Sequence, residues 1–145
     1  MGTTFADYVA TQDARNTIQL NIRKYTLMLC DALRQNYIEY SIKSHQHRVN
    51  TEVNADYHQT CIDDLKSGKC DYNFYPETGR KYHKIIMDAD GSRSVHAFVD
   101  KKTGEVYKAA SFKGPAKHVR FNLCIISDRE WLLEHADWAG AYLYK

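Results

Sequence analysis

The sequence predicts an α+β fold in which N-terminal amphipathic helices pack on a small antiparallel β-sheet, with hairpins within about residues 80–109 and a short C-terminal helix. Three observations carry this reading. Apolar residues recur at three- and four-residue spacing in the first third of the chain. After Gly68 a period-two alternation punctuated by Asp-Gly and Thr-Gly turns takes over, and Ser127 to Glu130 has the spacing of a helix capping box. A chain of 145 residues with 43% hydrophobic side chains builds one respectable core. A single domain over 1–145 is therefore expected: mainly helical over 1–68, sheet and basic loop over 69–126, C-terminal helix and tail over 127–145.

Ile18, Ile22, Tyr25, Leu29 and Leu33 line one face of a helix from about Asp13 to Asn36. Residues 37–43 fit two states. Ile38, Tyr40 and Ile42 alternate with polar residues as in a half-buried strand, and a helical extension accommodates them equally. Asn50 or Thr51 is placed to cap a second helix over about 52–67, where Val53, Tyr57, Cys61 and Leu65 recur every four residues and Gly68 stops it.

Tyr82 to Met87 reads as a strand, and Asp90-Gly91 supplies the positive φ angles of a tight hairpin turn. Val95, Ala97 and Val99 then alternate with His96 and Phe98, which puts His96 on the face opposite Val95 and Ala97 and near Lys108 on the next strand. Lys101 to Gly104 forms the following turn, and Glu105 to Ala109 returns. Gly114-Pro115 ends regular structure, since proline lacks the donor a ladder requires, and Lys117, His118 and Arg120 follow on a loop or short helical turn. The capping box starts a helix reaching about His135, and Ala139 to Tyr144 suggests an edge strand.

No apolar run approaches the roughly 20 residues of a membrane span, and Met1 to Tyr8 lacks the pattern of a secretory signal. Cys30, Cys61, Cys70 and Cys124 are too scattered for a disulfide framework or a C-x-x-C site; Cys30 and Cys124 read as small buried hydrophobes. His45 and His47, with His58, Cys61 and Cys70 further on, lack zinc-site spacing, and Lys43 and Arg48 oppose a cation there. No metal and no cofactor is expected.

The formal net charge of +2 conceals an asymmetry. Residues 79–122 carry ten Lys/Arg against four Asp/Glu, net +6, so the remainder is net −4. Localised positive charge suits an anionic partner. Within it, Lys108, Lys113, Lys117 and Arg120 are interleaved with Ser111, Phe112 and small residues. Cations neutralise phosphate, small residues admit close approach, and an aromatic ring stacks on a base. The ligand-binding set expected from the sequence is His96, Lys108, Ser111, Phe112, Lys113, Lys117 and Arg120. The bland alternative is a basic loop that solvates a sheet edge, and neither G-x-x-x-x-G-K-[ST] nor G-x-G-x-x-G is present. His96 beside Ser94 or Ser111 would suit an enzyme, but no partnering carboxylate or nucleophile motif accompanies it.

The run Ser94 to Lys117, with Arg120 and Asn122 beyond it and Gly79-Arg80-Lys81-Tyr82 before it, resembles a family of small uncharacterised proteins of tailed bacteriophages. These carry an F-V-D-x-x-T-G-x-V-x-K-A-A-S hairpin followed by an aromatic, a lysine and P-A-K; Phe112 stands where an aromatic, often tryptophan, is usual. The resemblance covers residues 79–122, brings no activity, and implies a viral protein working in the cytoplasm of the infected bacterial host. The leading expectation is a non-enzymatic accessory protein that binds nucleic acid or a nucleotide through the basic loop. The alternative is an interaction module that acts on a host protein through tyrosines such as Tyr142 and Tyr144, with self-association open and no role at a membrane.

Overall fold

The computed structural model describes residues 4–51 and 54–144. Helix α1 runs from Phe5 to Thr51, about 70 Å at 1.5 Å per residue. It absorbs residues 37–43 and extends well beyond the expected 13–36. Between Thr4 and Thr51 no glycine or proline interrupts the chain, so nothing stops the helix once started. Its buried residues, Ile22, Thr26, Leu29, Cys30, Leu33 and Ile38, begin only at Ile22, and Ile18 is 47% exposed.

Helix α2, Ala55–Lys66, packs back on α1. Asn50 and Thr51 lie inside α1 and cap nothing; Asn54 holds the N-cap position without a side-chain bond. The buried face is His58, Ile62 and Leu65, and Tyr57 points outward, while Val53 lies outside the described residues. Leu65 is buried and Cys61 half-buried as the period predicts, but the face is shifted so that His58 takes the place expected of Tyr57. Gly68, at φ +93°, ends the helix as expected: its N–H and that of Lys69 reach the carbonyls of Leu65 and Asp64, a Schellman closure that satisfies two terminal acceptors.

Five strands follow in an antiparallel sheet of sequential order: β1 Tyr72–Thr78, β2 Tyr82–Ala89, β3 Ser92–Asp100, β4 Glu105–Lys108 and β5 Phe121–Asn122. The Asp90-Gly91 turn has φ of 54° and 89°, as the sequence predicts. At the next turn the Asp100 carboxylate accepts the N–H groups of Lys102 and Thr103, and Gly104 takes φ +79°. A Cβ on Gly104 would stand 2.9 Å from the Cys124 sulfur and 3.3 Å from the Cys124 nitrogen. Gly104→Ala is expected to cost about 2 kcal/mol of stability from the left-handed backbone alone, more where Cys124 fails to yield, read as a lower midpoint in urea unfolding.

Gly114-Pro115 does not end pairing. Ala109 bridges Pro115, the N–H of Ala116 reaches Lys108, and that of Arg120 reaches Val106, which brings β5 alongside β4. Helix α3, Ile126–His135, starts one residue before Ser127, so the capping box is not formed; Ile125 is the cap and Asp128 accepts the Asn122 N–H instead. The tail is a 3₁₀ turn, Ala141–Leu143, and not an edge strand. Gly140 at φ +85° and the Asp137 carboxylate, which accepts the N–H groups of Ala141 and Tyr142, fix it.

One face of the sheet meets the helices. Phe74, Ile85, Ala97, Val99, Val106 and Phe121 join Ile22, Leu29 and Leu33 of α1, with Leu132, Tyr142 and Leu143 closing the far side. Cys30 belongs to this core, whereas Cys124 is exposed, contrary to expectation; all four cysteines are free. Among the described residues no helix is long and apolar enough to cross a membrane.

Candidate functional site

Among the described residues, the other sheet face, that of Phe98, is not part of the core cluster that joins the sheet to the helices. Opposed residues in an antiparallel pair share a face, so Lys84, opposite Phe98, and Phe98, opposite Tyr107, lie on the side turned away from Ile85 and Ala97. There Tyr82 meets Phe98 and Tyr107 edge-on, at ring separations of 5.6 and 6.1 Å. The Lys84 ammonium stands 4.4 Å from the centre of the Phe112 ring and 5.8 Å from that of Phe98. Phe112 arrives on a tight loop closed by bonds from the N–H groups of Ala110 and Ser111 to the Gly114 carbonyl, and from the Lys113 N–H to the Ser111 hydroxyl. A groove of about 230 Å³ between this loop and the β1–β2 turn is lined by Arg80, Lys81, Tyr82, Lys84, Phe98 and Lys113, among others.

The acids near this face are already engaged. Glu77 pairs with Arg93, Glu105 accepts the Tyr107 hydroxyl at 2.8 Å, and Asp100 is bound to its own turn. Burial, reinforced by Glu105, pushes the Tyr107 phenol up to about 12, so it stays protonated. Among the described residues no carboxylate pairs with Arg80, Lys81, Lys84 or Lys113. Phe98 is buried beneath this surface, so the rings left for stacking are the exposed Phe112 and the half-buried Tyr82 and Tyr107; four cations among them, on a shallow surface, suit a phosphodiester chain.

The residues singled out in the sequence do not form one cluster. Phe112 and Lys113 lie at the open face, and Ser111 shapes their loop. Lys108 pairs with Ala97 and its ammonium sits 4.1 Å over the Tyr144 ring, on the side of the C-terminal tail. His96 joins it there. Ile85 pairs with Ala97 but Ile86 with Val95, so His96 is the extra residue of a β-bulge and does not alternate to the face opposite Ala97. Its ring meets Phe74 and Tyr142, members of the same core as Ala97, and its Nε2 lies 2.7 Å from the Tyr142 hydroxyl. Burial holds this histidine down at about 4, against a smaller opposing pull from Asp137. Arg120 ties loop to tail, donating to the carbonyls of Leu143, Lys117 and His118, and Lys117 is exposed.

The set expected from the sequence does not include Lys84, Tyr82, Arg80 or Lys81. The signal for Tyr82 and Lys84 is their period-two spacing on β2, which marks one strand face carrying both an aromatic and a cation. Among the described residues no group of three or more His, Cys, Asp or Glu is placed to hold a metal; His45 and His58 instead bond each other at 2.8 Å across α1 and α2.

Compared with known proteins, residues 5–145 match the model of a family of unknown function (DUF7717). No curated protein and no solved structure matches the chain.

Proposed function

We propose, for a chain that belongs to the DUF7717 family of unknown function, that it binds single-stranded nucleic acid across the open face of its sheet. The observation that carries this reading is the cluster of Arg80, Lys81, Lys84 and Lys113, without carboxylate partners among the described residues, around the half-buried Tyr82 and the exposed Phe112. Lysine and arginine release counterions from the backbone, and aromatic faces stack on any base, so affinity is broad in sequence and steep in salt. The groove is shallow and small beside the 300 Å³ or more of typical small-molecule sites, which favours a strand lying along the sheet over an enclosed mononucleotide.

The phage-like segment 79–122 contains Arg80, Lys84, Phe112 and Lys113, and supports placing the protein in the cytoplasm of an infected bacterium as a non-enzymatic handler of phage or host nucleic acid. Fluorescence anisotropy of a labelled oligonucleotide tests the reading. Single strands bind at low salt, duplex of equal length binds more weakly, and Phe112→Ala loses about 5- to 50-fold through the missing stack. Equal binding of strand and duplex, or no effect of Phe112→Ala, would sink it.

A second reading, docking on a host protein, is favoured by α1, whose first half exposes Phe5, Tyr8 and Leu20. Tyr142 cannot serve it, being buried, whereas Tyr144 is exposed. A stoichiometric, nuclease-resistant partner that is lost in Phe5→Glu/Leu20→Glu would establish it.

A further inference from the structure

A cavity of about 380 Å³ lies between the bulged strand β3, the end of β4 and the C-terminal tail, with His96, Lys108, Ser94, Trp138, Gly140 and Tyr144 on its walls. The protonation of His96 follows from its partner. The Tyr142 hydroxyl is buried and, among the described residues, bonds only to His96. Were the Nε2 of His96 protonated, the phenolic hydrogen would have no acceptor; so Tyr142 donates and Nε2 accepts, leaving the hydrogen of the neutral ring on Nδ1. Among the described residues no group bonds Nδ1, and no fully buried side-chain nitrogen lacks a partner. Nδ1–H is therefore accessible, and the surface that His96 lines is this cavity.

The cavity thus offers one neutral N–H donor, the Lys108 ammonium held over the Tyr144 ring, and aromatic walls from Trp138 and Tyr144. Asp137, the nearest acid to His96, turns both carboxylate oxygens to backbone N–H groups of the tail turn and is not among the lining residues. Gly140 closes in, a Cβ there standing 3.6 Å from the His96 ring. One positive charge and one neutral donor match a monoanion with two acceptor oxygens better than a phosphate dianion.

We propose that this cavity binds a small monocarboxylate with a flat apolar body, its oxygens at Lys108 Nζ and His96 Nδ1–H and its body against Trp138 and Tyr144. The site is separate from the nucleic-acid face and does not depend on it.

Benzoate, benzamide and inorganic phosphate serve as probes in NMR titrations that follow the Trp138 indole and His96 ring signals. Benzoate is expected to give saturable shifts with a Kd of order 1 mM, benzamide and phosphate at least about 10-fold weaker ones. Lys108→Met, which keeps the aliphatic stem, is expected to lose benzoate about 10-fold or more at unchanged melting temperature; Ala139→Trp, which fills the mouth, is expected to abolish it. No saturable shift at Trp138 and His96, benzamide equal to benzoate, phosphate tighter than benzoate, or full affinity in Lys108→Met would each overturn the proposal. Oligonucleotide binding stays intact in both variants, so the failure of one site is distinguishable from that of the other.

Discussion

Replacing Arg80, Lys84 and Lys113 together by alanine is expected to lower affinity for single-stranded nucleic acid on the order of 100-fold at low salt. Each phosphate neutralised on a single strand contributes about 0.7 to the slope of log affinity against log salt, so the slope should fall by about 2. The effect is large because these cations have no carboxylate partners among the described residues, so their charge is available to a ligand. Arg80 and Lys113 are exposed and Lys84 lies between two rings, so the fold should survive, as a melting curve would check. Lys101, equally basic, makes the contrasting control. Its ammonium donates to the Gly79 carbonyl at 2.9 Å and braces two turns, so Lys101→Ala should lower stability while leaving the salt slope unchanged. An unchanged slope in the triple variant would mean that the face makes no phosphate contacts.

The second large effect is expected in acid. His96 has a folded-state value of about 4 against 6.5 when unfolded, because burial disfavours its charged form. The unfolded chain thus binds the extra proton first. Stability is intact above about pH 6.5, declines as pH falls through that value, and the loss is complete near pH 4. At 1.36 kcal/mol per unit, reduced somewhat for the ring edge open to the cavity, His96 accounts for roughly 2–3 kcal/mol. His45, lowered by burial, His58 and Arg48, and His83, lowered by burial, Lys101 and Arg23, add losses of the same sign. Carboxylates also respond to acid, so the informative quantity is a difference. Urea unfolding at pH 7 and pH 4.5 should show a smaller pH-dependent loss in His96→Gln than in the native protein, and parallel losses would contradict the assignment.

The outline of the fold was legible where local chemistry decides it. Asp90-Gly91, Gly104 and Gly68 adopt the left-handed conformations their positions imply, and the strands they join are those the alternation marks. Strand β1 carries Pro76 in its interior, a residue that argues against a central strand. As an edge strand β1 tolerates a proline that a central strand would not. Strand β5 is two residues long and exists through its partners on β4, which no local pattern encodes.

The candidate site was legible in charge and hidden in geometry. Counting cations located the basic stretch, but the face that His96 occupies depends on a single extra residue in β3, and those of Lys84 and Lys108 on strand pairing. The bulge at His96 carries no glycine to announce it and turns His96 toward the tail, where Lys108 arrives by alternation on β4, while Lys84, Phe112 and Lys113 meet on the other face. Trp138, Gly140 and Tyr144 enter the second cavity through a tail that reads as a strand and folds as a 3₁₀ turn, with Asp137 and Gly140 as its usable signals.

The most direct test of nucleic-acid binding by the open face is an amide and side-chain NMR titration of the whole chain with an oligonucleotide of about ten nucleotides, a length within the usual span of a single binding module. The expected shifts fall on Arg80 to Ile86, on Phe98 and Tyr107, and on the loop from Ala110 to Gly114, and leave α2 and the buried half of α1 unmoved. Shifts confined to the helices, or none at low salt, would contradict it.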